Sequence, residues 1–182
     1  MQGNILSTLG FIDEDIASEE LITNNNSLMK MIRTMATFSR QVSLKTGLDL
    51  TGGSIADVFT IVGGYIIVEG IIGRLTAACS ANACTLAITS DPTVGASDTP
   101  IGTAVEMNAA TLGSAIYVTG ASADAAIKAV ENATVPLLCV TPFLLPPGGL
   151  DVDLSTSDLT TGTMDLMMIW RACSPEAYVT VA

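Results

Sequence analysis

Asp151, Asp153 and Asp158 are the acids whose spacing comes nearest to a reactive constellation in this 182-residue chain. On an extended strand Asp151, Asp153, Ser155 and Ser157 fall on one face, with Val152, Leu154 and Thr156 on the other. Calcium takes several hard oxygen ligands, and two same-face carboxylates with loop carbonyls would begin such a shell. The EF-hand spacing is missing, including the acid that closes its loop, so a cation site and a solvated strand face stand as alternatives. A sugar site would want grouped exposed rings. One Trp, three Tyr and four Phe do not make such a platform, and Trp170, at the end of an apolar strand, reads as core.

Other chemistries lack their residues. Histidine is absent, which removes the commonest proton shuttle and the Ser-His and Cys-His constellations. Gly52-Gly53 and Gly63-Gly64 are not followed by the Gly-Lys-Ser/Thr of a phosphate loop and read as turns. Cys79, Cys84, Cys139 and Cys173 include no closely spaced pair for zinc and read as reduced thiols, although a hairpin-tip disulfide between Cys79 and Cys84 is conceivable. A hydrolase built on paired carboxylates would need two acids gathered in a cleft. The expectation is a protein that is not an enzyme and holds no cofactor.

The elements that must position these residues are mostly strands. Ala56, Val58, Thr60 and Val62 alternate toward Gly63-Gly64. Tyr65 to Val68 and Ile71-Ile72 follow, with Gly70 and Gly73 as bulge or bend positions. Thr85 to Thr89 reads as a strand closed by the loop Ser90 to Gly95, and Ala115 to Thr119 as one ended by Gly120. Leu137 to Leu145 is an edge or bent strand because of Pro142, and Pro146-Pro147-Gly148-Gly149 is a hard turn. The chain finishes with strands over Asp151 to Thr156, Met164 to Trp170 and Tyr178 to Val181. Short strands at roughly eight-to-twelve-residue spacing, parted by Gly and Pro turns, predict an all-β fold with a β-sandwich or jelly-roll body.

Residues 1–50 read differently, as an N-terminal arm ahead of a β domain over residues 51–182. After Asn24-Asn25-Asn26-Ser27, which can cap a helix, Leu28, Met31, Ile32, Met35 and Phe38 recur at three-and-four spacing. Lys30, Arg33 and Arg40 lie mostly elsewhere on the wheel, so the spacing predicts an amphipathic helix over about residues 28–40. That helix must dock on a partner or on the protein's own sheet, and Met29, Met31 and Met35 suit an adaptable contact.

Composition bounds the rest. The chain is 49% hydrophobic and 14% charged, which excludes a disordered one. Eighteen acids against seven bases give −11, which argues against direct binding to nucleic acid or to an anionic membrane. Residues 1–45 hold five acids and four bases, residues 46–182 thirteen acids and three bases, so the composition breaks near residue 46. The start of the chain lacks the pattern of a secretion signal. The apolar stretch Val58 to Ala78 contains Glu69, Arg74 and four glycines and reads as two buried strands, giving a soluble protein made in the cytosol.

Asp57 to Gly64, Ile71-Ile72-Gly73, Ser90 to Gly95, Ile116 to Gly120, and Thr161-Gly162 ahead of Trp170 form a series of strands and turns. Over about residues 55–182 this series resembles small tailed-bacteriophage virion structural proteins, similar in role to capsid decoration (cement) proteins. The resemblance implies a β-rich homo-oligomer, a trimer for preference, with the major capsid protein as partner. It implies a place on the capsid surface after assembly in the host cytoplasm, with residues 1–50 reaching a neighbouring subunit. Tail or head-fibre attachment is the alternative within that group, and a β-sandwich binding module the alternative outside it.

Overall fold

Alternation of side chains, more than strand propensity, decides which residues of this chain enter the core. The computed structural model describes residues 39–94, 97–120, 127–129, 141–155 and 159–182, and among them every regular element is a strand. These are β1 (Gln41–Asp49), β2 (Ile55–Val62), β3 (Ile66–Ala77), β4 (Thr85–Pro92), β5 (Thr99–Pro100) and β6 (Val105–Glu106). Then come β7 (Ala115–Tyr117), β8 (Ile127–Ala129), β9 (Phe143–Leu145), β10 (Gly148–Leu154), β11 (Thr163–Ala172) and β12 (Tyr178–Val181). No helix among the described residues is long and apolar enough to cross a membrane.

The strands form two antiparallel sheets. Sheet A runs β1-β11-β3-β7-β8, with β9 pairing β3; sheet B runs β12-β2-β10-β4-β5, with β6 pairing β4. From β1 to β4 each strand crosses to the other sheet, β5 stays with β4 in sheet B, and the chain returns through β7 (A), β10 (B) and β11 (A). The first strand therefore lies beside the last strand of sheet A, and β2 beside β10. Two interlocked Greek keys of this kind make a jelly roll. The fold is all-β, as the turn spacing predicts.

One apolar core joins the sheets. Sheet A contributes Val68, Ile71, Leu75, Ile116, Met164, Leu166, Met168 and Trp170; sheet B contributes Val58, Ile61, Leu86, Ile88, Leu150, Val152 and Leu154. Each full burial of this kind is worth roughly 2 kcal/mol against exposure. Trp170 is in that core, and its indole N–H donates to the buried Ser43 hydroxyl at 3.0 Å.

Several elements differ from the sequence expectation. Thr37–Ala182 is one compact unit, and the compositional break near residue 46 falls inside β1, which pairs with β11. The boundary near residue 50 rests on composition and charge, which do not reveal that Gln41–Asp49 is a strand; in it Val42 and Leu44 are exposed while Ser43 is buried. Gly148 and Gly149 open β10 instead of making a free turn. A Cβ at Gly148 (φ 145°) would collide with the backbone of Asp91 and Pro92, so the close pairing with β4 requires glycine. Strand β4 itself runs on to Pro92, through residues expected in a loop. The two apolar segments around Gly70 are one strand, β3, whose register against β11 shifts between Ile169 and Trp170. The expected strand over Leu137 to Leu145 is seen as β9, residues 137–140 being outside the described residues.

Candidate assembly surfaces

Sheet A has an apolar face on each side. Leu166 and Met168 point into the core, which sends Met167 between them to the outer face; Ile72 follows Ile71 outward, and Tyr117 follows Ile116. The register puts Leu44 opposite Met167, Met167 opposite Ile72, and Ile72 opposite Tyr117, an apolar row across four strands. Val42 lies opposite Ile169, which is itself buried. Further along, Leu144 pairs with Ile67 beside Arg171. Val42 is 60% exposed, Leu44 53% and Leu144 56%, so the face includes apolar side chains open to solvent.

At one end of that face lies a charged knot. Glu69 is on β3 at the register shift, its side chain only 6% exposed, and it takes two arginines. Arg40 Nε donates to its Oε2 and Arg171 Nη2 lies against its Oε1, each at 2.5 Å. Both guanidinium groups keep about half their surface in solvent. Arg40 had been expected as a contact residue of the arm; it is engaged with Glu69 of its own sheet. The other expected contact residues, Leu28, Lys30, Met31, Ile32, Arg33, Met35 and Phe38, lie outside the described residues, as does the predicted helix up to residue 38.

The outer face of sheet B is acidic. Leu150, Val152 and Leu154 are buried, which leaves Asp151 and Asp153 on the outer side of β10, as the alternation predicts. Topology adds acids that the sequence does not place together. Asp91 lies opposite Gly149, next to Asp98. Asp57 sits where β2 and β10 lose register, in a left-handed conformation (φ 53°), and its N–H donates to Asp151 Oδ1 at 2.7 Å. Asp tolerates that conformation better than most residues. Repulsion from Asp98, aided by burial and by Asp57, raises the Asp91 carboxyl above its ordinary range. Burial, then the charges of Asp57, Asp91 and Asp153, raise that of Asp151 against the Asp57 hydrogen bond.

Cations therefore segregate. Among the described residues Arg40, Lys45, Arg74, Lys128 and Arg171 all lie on sheet A strands or directly before β1, and the strands of sheet B carry no base. Lys45 donates from Nζ to the Ala182 carbonyl at 2.6 Å, tying the edge of sheet A to the residue after β12.

The remaining expected sites fall as follows. Asp158, the third member of the calcium candidate, is outside the described residues, and among those described no group of three or more acidic, cysteine or histidine side chains is placed to hold a metal ion. Cys79 and Cys84 are both buried, Cys173 is exposed, and Cys139 is outside the described residues. A cavity of about 410 Å³ opens between β4, β5 and β9, walled by Pro92, Ile101, Phe143, Leu145 and Pro146, with Ser90 and Thr99 as its polar side chains. It lacks an ionisable group for chemistry. Comparison with protein-family models, with curated proteins and with solved structures finds no match.

The sequence does carry a signal for the sheet A face. Met164 to Trp170 has apolar residues at outward as well as inward positions, and a sandwich strand needs them on one face only. A second apolar face asks for a second cover.

Proposed function

We propose that this chain is a non-enzymatic structural protein of a tailed-phage virion, a capsid decoration or cement protein that binds the assembled head and adheres to copies of itself. The observation that carries the proposal is the row Leu44, Met167, Ile72 and Tyr117 on the outer face of sheet A. Contiguous apolar surface on a soluble domain marks a contact with another macromolecule. A jelly roll is a fold that viral capsid proteins share with lectins, which favours the reading only by analogy.

The partners follow from the resemblance: copies of this chain, in a trimer, and the major capsid protein. A cement protein binds the closed lattice in preference to free subunits, so its binding energy stabilises the assembled shell. Residues 1–50 supply further contacts in this proposal, with β1 as their rooted end.

Sedimentation of the purified chain, alone and mixed with particles of the virus whose genome encodes it, tests the proposal. An oligomer that travels with the particles supports it. A monomer at all concentrations that stays in the supernatant overturns it.

A further inference from the structure

We infer that the cavity between β4, β5 and β9 is a binding site for a neutral, mostly apolar small molecule of about two rings that carries one hydrogen-bonding oxygen. The site goes beyond the assembly role proposed above and does not depend on it. Its volume, about 410 Å³, falls in the range of small-ligand pockets. Pro92, Pro100, Ile101, Phe143 and Pro146 supply most of its wall. Proline has no backbone N–H and its ring is stiff, so this wall offers rigid apolar surface with few donors. A ligand that is itself rigid gives up little entropy on entering such a site.

One polar side chain sits deep in the cavity. Ser90 follows Leu86 and Ile88 at the two-residue period of β4 and lies opposite the buried Leu150 of β10, so it is on the inward side of sheet B. Ser90 is only 5% exposed, and no described residue hydrogen-bonds its hydroxyl. Thr99 lies opposite it on β5, but the Thr99 hydroxyl donates to the Ser97 carbonyl at 3.1 Å. That leaves the Ser90 hydroxyl to pair with an oxygen of the ligand. The cavity wall carries no ionisable side chain, so a charged ligand would lose its hydration without a counter-charge. The carboxylate of Asp91, next to Ser90 in β4, disfavours an anion further.

Equilibrium dialysis of the full chain against 2-naphthol, 2-methylnaphthalene and 2-naphthoate, which share one bicyclic frame, tests this. The parent is expected to bind 2-naphthol and 2-methylnaphthalene saturably, and 2-naphthoate at least about tenfold more weakly than 2-naphthol. Ser90→Ala is expected to weaken 2-naphthol binding about three- to tenfold without weakening that of 2-methylnaphthalene, since one neutral hydrogen bond is lost. Ile101→Trp, checked for unchanged far-ultraviolet circular dichroism, fills the cavity and is expected to abolish binding of both. Absence of saturable binding by the parent overturns the inference, as does 2-naphthoate binding as tight as that of 2-naphthol. So does 2-naphthol binding that Ser90→Ala leaves unchanged, or binding that a folded Ile101→Trp variant retains. If Ile101→Trp fails to fold, the response of the two neutral probes to Ser90→Ala decides alone: a loss confined to 2-naphthol supports the site, and an equal response overturns it.

Discussion

Trp170 of β11 and Ser43 of β1 are joined inside the sandwich by an indole N–H donated to the serine hydroxyl at 3.0 Å. The bond lies 127 residues apart in the chain and fastens β1, the edge strand of sheet A, to the strand that carries the centre of the apolar row. Trp170→Phe is expected to cost about 1–2 kcal/mol, since it removes the donor and leaves a buried hydroxyl unsatisfied. Ser43→Ala should cost about 1 kcal/mol, and the double variant less than the sum of the two. Urea unfolding followed by circular dichroism measures this, because the first variant removes the chain's only tryptophan.

Glu69 beneath Arg40 and Arg171 predicts a second loss. Glu69→Ala frees two guanidinium groups that already reach water, so the cost is smaller than for a fully buried pair, about 1–2 kcal/mol. Because Arg40 anchors the entry to β1, hydrogen exchange in Gln41–Asp49 should quicken more than in β3. Uniform quickening would show that the knot stabilises the fold without anchoring that strand.

The acidic face of sheet B makes stability depend on pH in a stated direction. Asp91 and Asp151 titrate above the ordinary 3.8 in the folded state. Stability from these two groups is therefore fully present below pH 3.8 and is lost as pH rises through their raised values. Asp49 acts in the opposite sense: hydrogen bonds from the Thr51 N–H and hydroxyl lower its carboxyl, so its contribution is present above 3.8 and lost as pH falls through the lowered value. Asp91→Asn is expected to stabilise the protein at neutral pH, with the gain vanishing at about pH 3. Thermal midpoints at the two pH values check this, and a gain that persists in acid would contradict the repulsion.

Ser174 has a buried hydroxyl with no hydrogen-bond partner among the described residues. Ser174→Ala should be neutral or stabilising by up to about 1 kcal/mol, in contrast to Ser43→Ala, where the hydroxyl is bonded. A loss of more than that in urea unfolding would mean the hydroxyl is satisfied in solution.

How far the fold is legible in the sequence varies by element. Strand β10 is plain because Leu150, Val152 and Leu154 alternate with Gly149, Asp151 and Asp153, so one face is apolar and the other is not. Strand β1 is obscured by its inverted pattern, with Val42 and Leu44 outward and Ser43 inward, because local alternation does not say which side faces the core. The surfaces are harder still. Asp151 and Asp153 are neighbours on one strand, but Asp57 and Asp91 reach them through the strand order β2-β10-β4. The row from Leu44 to Tyr117 likewise needs β11 to lie between β1 and β3, a long-range pairing that no short window of sequence contains.

Sedimentation velocity of the parent chain beside L44D tests the central claim, that the outer face of sheet A is where this protein assembles. Leu44 is 53% exposed, so the aspartate leaves the core untouched and the fold is expected to survive. The account predicts a concentration-dependent oligomer for the parent and a shift to monomer for the variant at matched concentration. An equal distribution of species in the two would contradict it.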